Sequence, residues 1–203
     1  MEVAMRKMIK AVAFICLFLA AGCAQTGKSV ESVKKDQSAP EAKLYTAYNI
    51  WKINRLLLQR CINYKYGYNI IPAGTAVRLA KIGEDRDRRT VIKFVTAKDN
   101  HEYNIYFVSD FHPGKTIEDY LGYMFTTKTF EELTAGMTET EIEGIKKGIV
   151  LNGMSKEAVL VCYGYPPEHR TQSLDSNVWV YWKNKLTSFD VCFDKDGRTT
   201  DCK

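Results

Sequence analysis

Histidine is scarce in this sequence. His101, His112 and His169 are the three present in 203 residues. None stands at helical or hairpin spacing from another histidine or a cysteine, so no metal-ligating cluster is legible. His101 lies by a turn and His112 precedes Pro113-Gly114, which places both in solvated loops. A surplus of one charge is also missing: 29 basic residues face 24 acidic ones, a net of +5. That balance is too mild to argue for a nucleic-acid partner. No apolar run reaches the roughly 20 residues of a spanning helix; the run from Ala11 to Ala21 stops short. Catalytic constellations are absent as well. Residue types allow a Cys–His pair, Cys61 with His101 or His112, but nothing local supplies the orienting group or depressed thiol pKa it needs. The expectation is a non-enzymatic chain without a cofactor.

What is present begins with an address. Arg6, Lys7 and Lys10 precede the apolar run, and small residues end it, as in a secretory signal. Leu19-Ala20-Ala21-Gly22-Cys23 resembles a bacterial lipoprotein box. The resemblance implies removal of residues 1–22 and diacylation of Cys23, which becomes the new N-terminus. An ordinary signal cut with Cys23 incidental is the plainer alternative. Ala24 follows Cys23 where aspartate would retain a lipoprotein at the inner membrane, so the expected site is the outer membrane, on its periplasmic face. Met5 offers a second start with a cleaner head. Removal takes three basic residues and one acidic residue, leaving 26 against 23 and a net of +3. A weak attraction to anionic lipid headgroups stays open.

Four cysteines then remain in an oxidising compartment: Cys61, Cys162, Cys192 and Cys202. Three pairings are open. Cys192 and Cys202 flank the turn Asp194-Lys195-Asp196-Gly197 and suit one face of a hairpin. Cys61 with Cys162 would then clip two halves of the chain. Against that, Cys162 lies on the apolar stripe of its helix and fits a reduced core residue.

Residues 23–42 are polar and free of aromatics, the composition of a flexible tether. The rest divides near residue 130 into two expected domains. Residues 43–130 read mostly as strands. Leu44 to Trp51 is ambiguous between strand and helix, and Ile71 to Leu79 is a turn feeding a strand with Val77 and Leu79 on one face. Thr90–Val95 and Glu102–Val108 flank Lys98-Asp99-Asn100, which is hairpin chemistry. Ile117, Tyr120, Leu121 and Met124 form a helical stripe capped by Thr116. The whole suggests a small β-barrel of the Src-homology kind.

Residues 131–203 read helix, helix, strands. Gly136-Met137-Thr138 and Gly153-Met154-Ser155 open consecutive helices. Thr138 with Glu141 is a capping box. Ile142 and Ile145 face inward and Gly148 ends that helix. Ser155 caps the next, whose buried stripe is Val159, Cys162 and Tyr163, and whose end is marked by Gly164 and Pro166-Pro167. Strands follow at Val178–Trp182 and Ser188–Phe193, the latter with Phe189, Val191 and Phe193 on one face.

The series Gly153-Met154-Ser155, Val159, Tyr163-Gly164-Tyr165-Pro166, Trp179-Val180-Tyr181 and Phe193-Asp194-Lys195-Asp196-Gly197 resembles the SmpA/OmlA (BamE-type) lipoprotein domain over residues 136–201. The resemblance implies two helices on an antiparallel sheet, in small outer-membrane lipoproteins attached to the β-barrel assembly machinery. Such proteins contact partner subunits and anionic lipid. This chain differs in its extra N-terminal domain and its four cysteines. The fold class expected is therefore α+β: a small β-barrel-like domain, then a BamE-like domain.

Other motifs carry bland readings. Asp194-Lys195-Asp196-Gly197 lacks the first and twelfth ligands of a calcium loop, where Cys192 and Lys203 stand. Glu84-Asp85-Arg86-Asp87-Arg88-Arg89 is a solvated charge run. Tyr64, Tyr66 and Tyr68, with Trp179, Tyr181 and Trp182, mostly fill core or cross-strand positions, and an exposed subset would bind protein. The function expected is a scaffolding lipoprotein of the envelope that meets another envelope protein. The alternatives are a peptidoglycan- or peptide-binding module using residues 43–130, and an inhibitor of a periplasmic enzyme.

Overall fold

Runs of β-branched and aromatic residues broken by short polar turns set most of the first half as strand. The computed structural model describes residues 43–52, 59–67 and 69–202. The expected signal, Cys23, the tether and Tyr68 lie outside the described residues. The ambiguous stretch after Leu44 resolves into two strands, β1 (Leu44–Thr46) and β2 (Ile50–Trp51). Next come β3 (Gln59–Arg60), β4 (Ile70–Ile71), β5 (Ala76–Glu84), β6 (Thr90–Thr96) and β7 (Glu102–Tyr106). A 3-10 turn at Ser109–Phe111 precedes helix α1 (Ile117–Met124), and β8 (Phe125–Thr126) follows.

Six strands form one sheet in the order β3-β7-β6-β5-β1-β8. All its pairings are antiparallel except β3 with β7. The sheet curls into a half-barrel and stays open, since its end strands β3 and β8 do not pair with each other. The hairpin β6–β7 matches the turn chemistry of Lys98-Asp99-Asn100, with Asn100 at φ 53. A register shift between Val77 and Leu79 interrupts the simple alternation expected there. Thr116 caps α1 in a full capping box with Asp119, and Tyr120 and Met124 sink into the sheet's concave core beside Ile92, Phe94 and Ile105.

The second half is helix and sheet. Helix α2 (Phe130–Leu133) is one turn, capped by Thr129. Helix α3 (Glu139–Lys147) begins with the Thr138–Glu141 capping box and ends at Gly148, at φ 67. Helix α4 (Lys156–Tyr163) is capped by Ser155. Strands β9 (Val178–Trp182), β10 (Ser188–Phe193) and β11 (Thr199–Thr200) make a three-stranded antiparallel sheet in the order β11-β10-β9. The helices bury Ile145, Met154, Val159 and Cys162 against Trp179, Tyr181, Val191 and Phe193 of that sheet. Ile145 faces inward as its spacing implies, whereas Ile142 is only half-buried, on the flank among Glu139, Glu143 and Lys146.

There are thus two apolar cores, with Ala73 packed into the second and Tyr165 against the first. The described residues form one compact unit. The architecture is α+β. Buried asparagines stitch the cores together. Asn49 Nδ2 donates to the Ile145 carbonyl at 2.7 Å, and Asn49 Oδ1 accepts from Ala73 N–H at 2.9 Å. Asn63 Nδ2 donates to the carbonyls of Asn49 and Tyr163, at 3.0 and 3.2 Å.

Cys192 and Cys202 are joined, with Cα atoms 5.3 Å apart. Cys61 and Cys162 are not: both are free and buried, one in each core. Each thiol has its own local partner, the Val108 carbonyl for Cys61 and the Gly144 carbonyl for Cys162, both at 3.7 Å. The expected clip between halves is therefore made by asparagine amides, not by sulfur. The Cys192–Cys202 bridge closes a loop with a sequence separation of 10. Its reduction is expected to lower stability by about 2–3 kcal/mol, read as a lower melting temperature with a phosphine reductant. An unchanged melt would show that the bridge constrains nothing.

Candidate functional site

Sequence-expected positions disperse. His101 is exposed, its ring 4.6 Å from that of Tyr103. His169 is half-buried, with Nδ1 3.3 Å from the Phe111 carbonyl oxygen. His112 departs from the expected solvated loop, because the 3-10 turn before it rotates the side chain into the first core. There it is fully buried, between the rings of Phe107 and Tyr120. Burial brings its pKa down to about 4, so the ring is neutral at physiological pH. Nδ1 lies 3.5 Å from Glu168 Oε2, and neither ring nitrogen has a well-formed hydrogen bond among the described residues. The Cys61 backbone lies near enough to favour the protonated ring without reaching that geometry.

The Cys61 thiol is engaged elsewhere. It accepts from Val108 N–H at 3.3 Å, and burial pushes its pKa up to about 11. Burial pushes Cys162 up to about 12. Both are held as thiols, the opposite of what a nucleophilic cysteine needs. The Asp194 turn closes on itself: Asp194 Oδ1 accepts from the backbone N–H groups of Asp196 and Arg198. The charge run is exposed as expected, apart from the half-buried Asp85. Asp85 accepts from Asp87, Arg89 and Tyr106; these bonds outweigh its burial and hold its carboxyl well below the usual range.

The group that stands apart is one the sequence reading passed over. Lys65 sits on a strap after Asn63, a buried residue at φ 48. The strap's backbone follows the open edge of β9, where Lys65 N–H donates to the Trp182 carbonyl at 2.9 Å. Its Nζ lies over three rings: 4.7 Å from the centroid of Trp51, 5.1 Å from Tyr181 and 5.4 Å from Tyr163. It donates to the Asn63 carbonyl at 2.6 Å. Among the described residues no carboxylate pairs with it. Desolvation brings its pKa down to about 7, and the nearby Cys162 thiol acts weakly the other way. The ring faces favour the ammonium by about 0.5–2 kcal/mol each. Burial disfavours it by several kcal/mol. The opposing effects leave an amine that exchanges its proton near neutrality.

The signal that marks this site is an absence: no aspartate or glutamate occurs from Ala42 through Gly83. A lysine in such a stretch, between Tyr64 and Tyr66, has no local acid to pair with. Of the flanking tyrosines, Tyr64 is buried and Tyr66 is 59% exposed.

No family model, curated protein or solved structure matches the chain.

Proposed function

We propose that this chain is a non-enzymatic lipoprotein, held by lipid on Cys23 at the periplasmic face of the outer membrane. It acts there as a binding or scaffolding module in envelope maintenance, beside β-barrel assembly and in contact with another envelope protein. The observation that carries the reading is the order of features along the chain. A lipobox at Leu19–Cys23 and a polar stretch precede two capped helices packed on a three-stranded antiparallel sheet. That layout is what the likeness to SmpA/OmlA domains implies for residues 136–201. Supporting the scaffold role, the free thiols are held protonated and the polar turns satisfy themselves internally. Among the described residues, no helix is long and apolar enough to cross a membrane, so attachment in this reading falls to the lipid.

Cys23→Ala is expected to abolish incorporation of labelled palmitate and to move the protein from the membrane to the soluble fraction. Wild-type protein that takes up no palmitate, or a variant that stays with the membrane, would sink the anchoring claim. In-cell crosslinking is expected to recover an outer-membrane assembly component with the wild-type chain. Recovery of peptidoglycan fragments alone would move the role to murein binding.

A further inference from the structure

His112 is a buried titratable group that neither the scaffold role nor the lipid anchor uses. It is 0% exposed, and neither ring nitrogen has a well-formed hydrogen bond among the described residues. Glu168 Oε2, 3.5 Å from Nδ1, is likewise buried without a well-formed bond. The two groups belong to different segments: His112 ends the 3-10 turn at Ser109–Phe111, and Glu168 follows α4. Other contacts hold these segments together at the same seam. His169 N–H donates to the Phe111 carbonyl at 3.2 Å, Lys115 Nζ lies 3.9 Å from Glu168 Oε1, and the rings of Tyr123 and Tyr165 stack at 4.1 Å. The His169 ring in turn lies over Trp182, with 6.2 Å between centroids. The Glu168 side chain is 25% exposed, so it links the buried imidazole to water.

We propose that His112 and Glu168 form an acid-operated latch: when His112 takes a proton, residues 165–170 leave the first core and uncover Tyr123 and Trp182. A buried cation is tolerated only with its hydrogen bonds made and a counter-charge well placed. Here the rings of Phe107 and Tyr120 flank the imidazole, and the carboxylate in reach is partly wet and shared with Lys115. Burial is the largest influence and keeps the ring neutral. The Cys61 backbone and the ring faces act the other way and are outweighed, and the charges of His169 and Lys115 add to burial. Asp119 on α1 acts on Glu168 and raises it rather than pairing with His112, while Asp110, Glu118 and Arg170 are exposed. The Cys61 thiol and the Tyr120 hydroxyl stay protonated in this range. The folded ring titrates below its ordinary value. The closed seam is therefore fully favoured above about pH 6.5 and loses ground as pH falls toward about 4. Glu168 works against this, because burial raises its carboxyl, but its partial exposure and Lys115 make that the smaller effect.

The test is amide hydrogen exchange on the full chain between about pH 7 and pH 5, corrected for intrinsic exchange. The amides of His169, Arg170 and Thr171 report the seam, since they donate to the carbonyls of Phe111 and Pro167. Their opening constant is expected to rise roughly tenfold from pH 7 to pH 5, while amides between β9 and β10 hold steady. His112→Phe keeps an aromatic ring between Phe107 and Tyr120 but cannot titrate, so it should flatten that rise. NMR of the wild-type imidazole reads the proton directly, and His112 should stay neutral at about pH 5 while the seam is closed. A rise of less than about threefold overturns the proposal. So does a rise that persists in His112→Phe, or an imidazole that titrates near pH 6.5 with the seam shut. If His112→Phe does not fold, the exchange and imidazole measurements on wild type decide the matter. None of these outcomes touches the anchoring experiment, because that reads Cys23.

Discussion

Gly164→Ala is expected to destabilise the protein by about 4 kcal/mol, a fall of roughly 10–15 °C in melting temperature. Two separate effects add at this position. The backbone has φ 79 and ψ −175, a region that residues with a Cβ essentially avoid. A Cβ built there lies 2.8 Å from both Cδ2 and Cε2 of Tyr48. Tyr48 has nowhere to go: it is 3% exposed and packed in the first core, with its hydroxyl bonded to that of Tyr120. Gly164 also presents its carbonyl to Tyr181 Oη at 2.9 Å, so a shift of the backbone would loosen the second core too. Gly153→Ala is the control. Gly153 has φ 86, but a Cβ there meets nothing within 4 Å, so only the backbone penalty of about 1 kcal/mol applies. Equal losses for the two variants in chemical denaturation would show that the contact with Tyr48 does not matter.

The second large effect belongs to Glu141. This carboxylate accepts from Thr138 N–H at 2.8 Å, from Ser155 N–H at 2.7 Å and from the Arg198 guanidinium at 2.9 Å. Its side chain is 4% exposed. Burial alone would push its pKa up. The backbone bonds from Thr138 and Ser155 outweigh burial and hold it at about 2. A carboxyl depressed in the folded state contributes stability that is fully present above its unfolded value. That contribution is lost as pH falls toward the folded value. Between pH 5 and pH 2 the wild type should therefore lose about 3 kcal/mol from this one group. Glu141→Gln should be about 3 kcal/mol less stable at pH 7 and close to wild type near pH 2. Urea denaturation at a series of pH values reads both. A constant gap across that window would assign the effect to packing, and no gap at pH 7 would remove the clasp from the account. Arg198→Ala, at a half-exposed position, should lose less than about 1 kcal/mol.

Much of the fold was legible because it is local. Thr116, Thr138 and Ser155 cap helices where their hydroxyls stand one residue ahead of the first helical residue. The 90–106 hairpin, the two C-terminal strands and the Cys192–Cys202 bridge follow from turn chemistry read over a few residues. What stayed hidden spans the chain. The partners of Asn49 and Asn63 lie 96 and 100 residues away, and no periodicity points to them. The same blindness misplaced His112, whose neighbours Phe107 and Tyr120 are close in sequence but close over it only once the 3-10 turn is made. It also concealed Lys65, because a cage assembled from residues 51, 163 and 181 has no linear signature. The two Gly-Met segments read in sequence only as consecutive helix starts. Glu141 binds the first N–H of each start's cap region, at Thr138 and at Ser155, so one side chain seals both.

The asparagine stitches also set a timetable. A ribosome delivers Asn49 and Asn63 long before it delivers Ile145 and Tyr163. Until those carbonyls emerge, Asn49 Nδ2 lacks its Ile145 acceptor and Asn63 Nδ2 has only the Asn49 carbonyl. The half-barrel can curl early, but its seam must wait for the last third of the chain. A chain halted near residue 130 would lack both carbonyls that tie its opening strands to the second core.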